Sequence, residues 1–191
     1  MLDPAKLFNQ ALTALERGDR ALAKDRLGKV LAARPDDVEA ALVLARALRD
    51  DELPDSTAAR EAAEAVLVAA IKAAAQGPAD PTEALLELAD LRLSLGRPAD
   101  AARACRRVLE VKPNDWEALY LLGNAFLDVG AWAEAARSYR EALATNPFDA
   151  EIWWNLGVAL ERTGDAVGAA EAYSTHARLA ADGADTHVTR E

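Results

Sequence analysis

The sequence predicts an all-α protein, a solenoid of antiparallel helix hairpins, and three observations carry that prediction. Gly96, Gly130 and Gly164 stand 34 residues apart, as do Ala101, Ala135 and Ala169, and Pro113 and Pro147. A fixed period of that length marks a tandem repeat. Each period holds two stretches with apolar residues at helical spacing, divided by a short turn with glycine at its centre in four of five units. No segment alternates apolar and polar residues with the period of two that a strand requires.

The elements follow in order from that frame. Gly18 and Ala23 precede Gly96 and Ala101 by 78 residues, which is two periods plus 10, so one repeat carries an insertion. The repeats then run 4–37, 38–81, 82–115, 116–149 and 150–183, forming one solenoid over 1–183 with a polar tail at 184–191. Pro4 and Pro81 suit the first turn of a helix, where a missing N–H costs nothing. Asp36 with Glu39, Asp80 with Glu83 and Asn114 with Glu117 read as capping boxes. The second repeat is irregular: its turn is stretched into the acidic run at 50–56, and a long Ala-rich helix ends near Gly77. Pro35, Pro113 and Pro147 each stop a second helix, since proline cannot continue the hydrogen-bond ladder.

Composition narrows the function. With 51% hydrophobic residues over 191 positions, the chain can bury a sizeable core. Its 32 acidic against 22 basic residues leave a net charge of -10, opposite to what phosphate binding needs, so no nucleic-acid partner is expected. No stretch has the length of a membrane span, and the start, MLDPAKLFNQALTALERGDR, lacks the apolar core of a signal peptide. The expected setting is therefore the cytoplasm, without membrane insertion. The richness in Ala, Arg and Asp is that of a bacterial chain from a GC-rich genome. Cys105, the one cysteine, is expected to be a small buried hydrophobe. His176 and His187 have no second ligand at metal spacing, and neither a phosphate loop nor a nucleophile elbow is present. No enzyme activity, cofactor or metal is expected.

The fourth repeat shows Leu119, Leu122-Gly123, Phe126, Gly130, Trp132, Ala135, Tyr139, Ala142 and Pro147. The fifth shows Trp153, Leu156-Gly157, Leu160, Gly164, Ala169 and Tyr173, but has His176 at a usually small position and Ala181 in place of proline, as suits a terminal repeat. On these residues the chain resembles the tetratricopeptide repeat family. Repeats one and three are looser, with Gln10-Ala11 and Leu88-Ala89 replacing Leu-Gly, and the resemblance spans 180 of 191 residues. It implies a right-handed superhelix whose concave groove is lined by the first helix of each pair, and a role as a protein-binding adaptor or scaffold.

Those first helices carry a second apolar stripe. Leu119, Leu122, Gly123 and Phe126 form the packing stripe of repeat four, and Tyr120, Asn124 and Leu127 lie about 110° further round the helix. The equivalent sets are Phe8, Leu12 and Leu15; Leu42, Arg46 and Arg49; Leu86, Asp90 and Leu93; and Trp154, Val158 and Glu161. In the family these positions line the groove, so the resemblance implies a partner segment of apolar or amphipathic character, either a helix or an extended strand. Tyr120 and Trp154 are the strongest anchors, because nine of the ten aromatic residues lie from Trp116 onward and such rings dominate binding hot spots. For Phe8, Leu42 and Leu86 the competing expectation is packing against the preceding repeat. Arg46 and Arg49 are expected to pair with neighbouring acids. The lysine and asparagine clamp by which one subclass of the family holds a partner's terminal carboxylate is absent. Two alternative functions stand beside the adaptor. One is a homo-oligomeric scaffold assembled through the open side of the last helix, with Val167, Ala170, Tyr173 and Ala177. The other is a regulatory subunit of a larger assembly.

Overall fold

A computed structural model describes residues 3–49 and 57–188. The stretched turn at 50–56 and residues 189–191 of the expected tail lie outside the described residues. The described residues form ten helices and no strand: α1 (Pro4–Glu16), α2 (Arg20–Ala33), α3 (Val38–Arg49), α4 (Thr57–Ala74), α5 (Thr82–Ser94), α6 (Pro98–Val111), α7 (Trp116–Asp128), α8 (Trp132–Thr145), α9 (Ala150–Thr163) and α10 (Ala166–Val188).

Four of the turns between α-helices contain a glycine in the left-handed region, with φ of 76° at Gly18, 68° at Gly96, 75° at Gly130 and 86° at Gly164. A side chain there would crowd its own backbone, which is why glycine recurs at the repeat period. The second helices end differently. Arg34, Lys112 and Asn146 take non-helical ψ values of 84°, 80° and 73° because the proline that follows each excludes the helical conformation from the residue before it. Ala181 imposes no such stop, so α10 runs on to Val188, into the stretch expected as a polar tail.

The helix starts are capped by aspartates, one residue later than expected in two cases. Asp37 accepts from the Ala40 amide at 3.1 Å and Asp115 from the Ala118 amide at 3.0 Å, whereas Asp36 and Asn114 stand a residue further out in the turn. The residue immediately before the first helical one is the best placed to aim its oxygen at the unpaired amides of the first turn. At α5 that residue is Pro81, expected inside the first turn, and Asp80 accepts from the Thr82 amide at 2.9 Å from one residue further out. Glu83, assigned to the capping box of α5, meets Arg46 on another repeat.

The chain divides into two compact units, Met1–Leu95 and Gly96–Glu191. In the first, Leu7 and Ala11 of α1, Leu27 and Val30 of α2, and Ala40 and Leu44 of α3 share one core, with Phe8, Leu31, Val43, Leu48 and Val66 packed around it. In the second, Leu119 of α7, Ala135, Ala136, Tyr139 and Ala142 of α8, Ile152, Leu156 and Leu160 of α9, and Ala169 and Ala172 of α10 form the core. Here the small residues have a clear use. A Cβ at Gly123 would come within 2.4 Å of the Tyr139 ring and one at Gly157 within 2.5 Å of the Tyr173 ring, so the glycines let each aromatic ring lie flat on its partner helix. Cys105 is fully buried, and that burial pushes its thiol up to about 12. No helix among the described residues is long and apolar enough to cross a membrane.

Candidate functional site

In the first unit the candidate positions divide into three groups. Leu42 and Leu86 are only 4% and 8% exposed and belong to the core: α3, which carries Leu42, packs on α2, α4 and α5, and α5, which carries Leu86, packs on α3 and α4. Arg46 and Arg49 reach from α3 to α5. Arg46 Nε lies 3.1 Å from Glu87 and its Nη2 3.4 Å from Glu83, while Arg49 holds Glu87 and, at 3.1 Å, Asp90. This second-stripe surface is therefore a closed network in which arginine answers carboxylate. Phe8 is half-buried beside a cleft of about 490 Å³ that it shares with Arg34 and Val38, and Leu12 is 37% exposed on α1.

The second unit has a different surface. Glu117, Tyr120, Asn124 and Leu127 recur at one turn of spacing along α7, and Glu151, Trp154, Val158 and Glu161 occupy the same positions one period later on α9. Tyr120 is half-buried; its hydroxyl donates to Glu151 at 2.6 Å and its ring leans on Tyr139 at 6.2 Å. Burial first, then that hydrogen bond, push the Tyr120 phenol up to about 12. Asn124 accepts from the Tyr139 hydroxyl at 2.7 Å and from the Asn155 amide at 3.4 Å, so its carbonyl oxygen is committed within the protein. Leu127 packs on the core edge, and Val158 is half-buried.

Trp154 is the open member of the set, 48% exposed. It is nevertheless held in place: Tyr173 and His176, one turn apart on α10, pack against it with ring centres 5.0 and 5.2 Å away. His176 Nδ1 lies 2.8 Å from the Ala150 carbonyl, an acceptor, so that nitrogen carries the proton. The Tyr173 hydroxyl donates to Glu161 at 2.9 Å. Tyr173, expected on the open side of the last helix, instead packs on α9; the signal was that it shares one helix face with His176, opposite Trp154. Glu151, which stands one turn before Trp154 at the head of the same stripe, was not among the expected groove residues. Among the described residues no group of His, Cys, Asp or Glu could hold a metal ion.

An all-α chain of repeated helix hairpins has the architecture of a protein-interaction or scaffold module. The tetratricopeptide repeat pattern matches residues 8–84, 86–136 and 120–184, and the chain belongs to that family. Its fold is similar to the crystal structure of MamA protein, with 20% identity, a TM-score of 0.78, and 95% of this chain and 94% of that one covered. It is also similar to a MamA fragment from Desulfovibrio magneticus RS-1, at 23% identity, a TM-score of 0.78, and coverage of 95% and 98%. A third similar structure is YrrB, described as a tetratricopeptide repeat protein with an unusual peptide-binding site. It shows 18% identity, a TM-score of 0.72, and coverage of 93% and 86%. No curated relative matches the chain at a significant level.

Proposed function

We propose that this protein is an adaptor that holds a segment of a partner protein against the inner-helix stripe of α7 and α9. The observation that carries the reading is Trp154: a large ring, half exposed, yet packed against Tyr173 and His176 of α10. A fixed, open aromatic loses little entropy when a partner covers it, which is the character of a hot-spot anchor. Tyr120, Leu127 and Val158 supply the surrounding apolar surface, and Asn124 a polar edge. The similarity to YrrB supports peptide capture as a use of this fold. The role fits a cytoplasmic, non-catalytic protein, with the segment apolar or amphipathic in character.

Affinity capture from the native cell with the wild-type chain and with a Tyr120→Ala/Trp154→Ala variant tests the reading. Loss of the captured partner, with the helical circular dichroism signal unchanged, is expected. Equal capture by both chains removes the stripe from the site.

A second reading, assembly of copies through the outer side of α10, is favoured by Val167, 73% exposed, with Ala170 and Ala177 exposed on the same helix. Light scattering over a concentration series that shows a strict monomer rules it out.

A further inference from the structure

We infer that the segment bound at this stripe is a cationic amphipathic helix, with two Lys or Arg residues about three helical turns apart flanking its apolar face. The inference rests on the adaptor reading above and assigns the chemistry of its partner.

The first unit shows what a carboxylate at this position takes. Glu83 on α5, two repeat periods before Glu151, is met by the Arg46 guanidinium at 3.4 Å. On α9 the equivalent Glu151 receives only the Tyr120 hydroxyl, and Glu161 at the far end of the stripe only the Tyr173 hydroxyl. Among the described residues neither carboxylate has an ion pair. Both are exposed. The inner helices α7 and α9 carry Glu117, Asp128, Glu151 and Glu161 against a single cation, Arg162, and that guanidinium lies over the Trp132 ring at 5.2 Å.

The stripe therefore reads acid, aromatic, apolar, acid. Glu151 and Glu161 are ten residues apart on α9, which is about 15 Å at the rise of an α-helix. A partner helix lying along α9 places cations on both carboxylates when they stand about three turns apart, and its apolar residues then fall on Trp154 and Val158. A cation near Trp154 also gains from the face of the ring. An acidic segment meets the Glu151 and Glu161 carboxylates there instead.

The test uses the full chain with two synthetic amphipathic helices sharing one leucine face, the first with lysines and the second with glutamates on the polar face. Binding is read by fluorescence anisotropy. The Leu/Lys peptide is expected to bind on the order of tenfold tighter at low salt, the size two partly exposed ion pairs supply, with the advantage shrinking as salt rises. The Glu151→Gln/Glu161→Gln variant keeps an oxygen for each tyrosine hydroxyl and should lose that advantage. A charge-matched control, Glu110→Gln/Glu141→Gln on the exposed faces of α6 and α8, should keep it. Equal affinity for the two peptides overturns the inference, as does an equal loss in both charge variants, which marks general attraction to an acidic chain. Trp154→Ala separates the two levels: weaker binding of both peptides upholds the site, whereas unchanged binding sinks the adaptor reading together with the charge inference.

Discussion

Two glycines with the same sequence signature have different tolerances. Tyr139 is fully buried and its hydroxyl is tied to Asn124, so the ring has nowhere to go when a methyl group arrives at Gly123. Tyr173 is only partly buried and bonded to the exposed Glu161, so it can swing outward. Gly123→Ala is therefore expected to destabilise by about 1–3 kcal/mol through overpacking. Gly157→Ala should be close to neutral, because a helix propensity gain of about 1 kcal/mol offsets the smaller clash. Urea denaturation of the two variants measures the difference; equal losses contradict it. The tyrosines give a second prediction. Tyr120, Tyr139 and Tyr173 are all raised from the usual 10, with burial the leading cause in each. A raised native value means the folded chain keeps the proton, so the stabilisation is complete below pH 10 and falls away as pH climbs towards 12 and beyond. Phenolate absorbance at pH 10 should therefore be well below that of the denatured chain, and the remainder should appear together with loss of helical signal at higher pH. Phenolate equal to that of the denatured chain at pH 10 contradicts the burial of these rings. Cys105 follows the same logic: it should resist a thiol reagent until denaturant opens the second unit.

At the scale of the helices, most of the fold was legible because it is written in residues with one physical use. The left-handed glycines and the stopping prolines fixed the turns, and the missing proline at Ala181 explains the longer α10. The caps were legible only to within a residue. Asp36 and Asp37 are adjacent and chemically alike, and the choice between them depends on where the first helical turn begins. Asp149 accepts from two amides of its first turn, those of Glu151 and Ile152, at 3.0 and 3.2 Å. Asp149→Ala is expected to cost about 1 kcal/mol and, by fraying the start of α9, to weaken partner binding as well. Thermal denaturation of that variant checks the stability, and an unchanged midpoint shows the cap to be idle. The stripe was half legible. Helical spacing gave the angle of Leu42 and Leu86 around their helices, yet it says nothing about which neighbour lies on that side. Leu42 is covered where α3 packs on α2, α4 and α5, and Leu86 where α5 packs on α3 and α4, whereas Trp154, packed against Tyr173 and His176, is still 48% exposed. The arginine network of α3 and α5 was foreseen as a pairing with acids; its particular partners, Glu83, Glu87 and Asp90, depend on the register of one hairpin on the next.

At the scale of the whole molecule, the net charge of -10 first served only to exclude nucleic acid. Its distribution says more. Arginines neutralise the stripe of α3 and α5, while that of α9 keeps carboxylates at both ends of an open tryptophan. Affinity for the natural partner should accordingly fall as ionic strength rises, since partly exposed charges are screened. The most direct measurement of the central claim is oxidative footprinting of the chain alone and in complex with its captured partner, read at Trp154 and Val167. Trp154 is expected to be reactive when free and protected in the complex, with Val167 equally reactive in both. Protection of Val167 with Trp154 still open contradicts that claim and moves the binding surface to the outer side of α10.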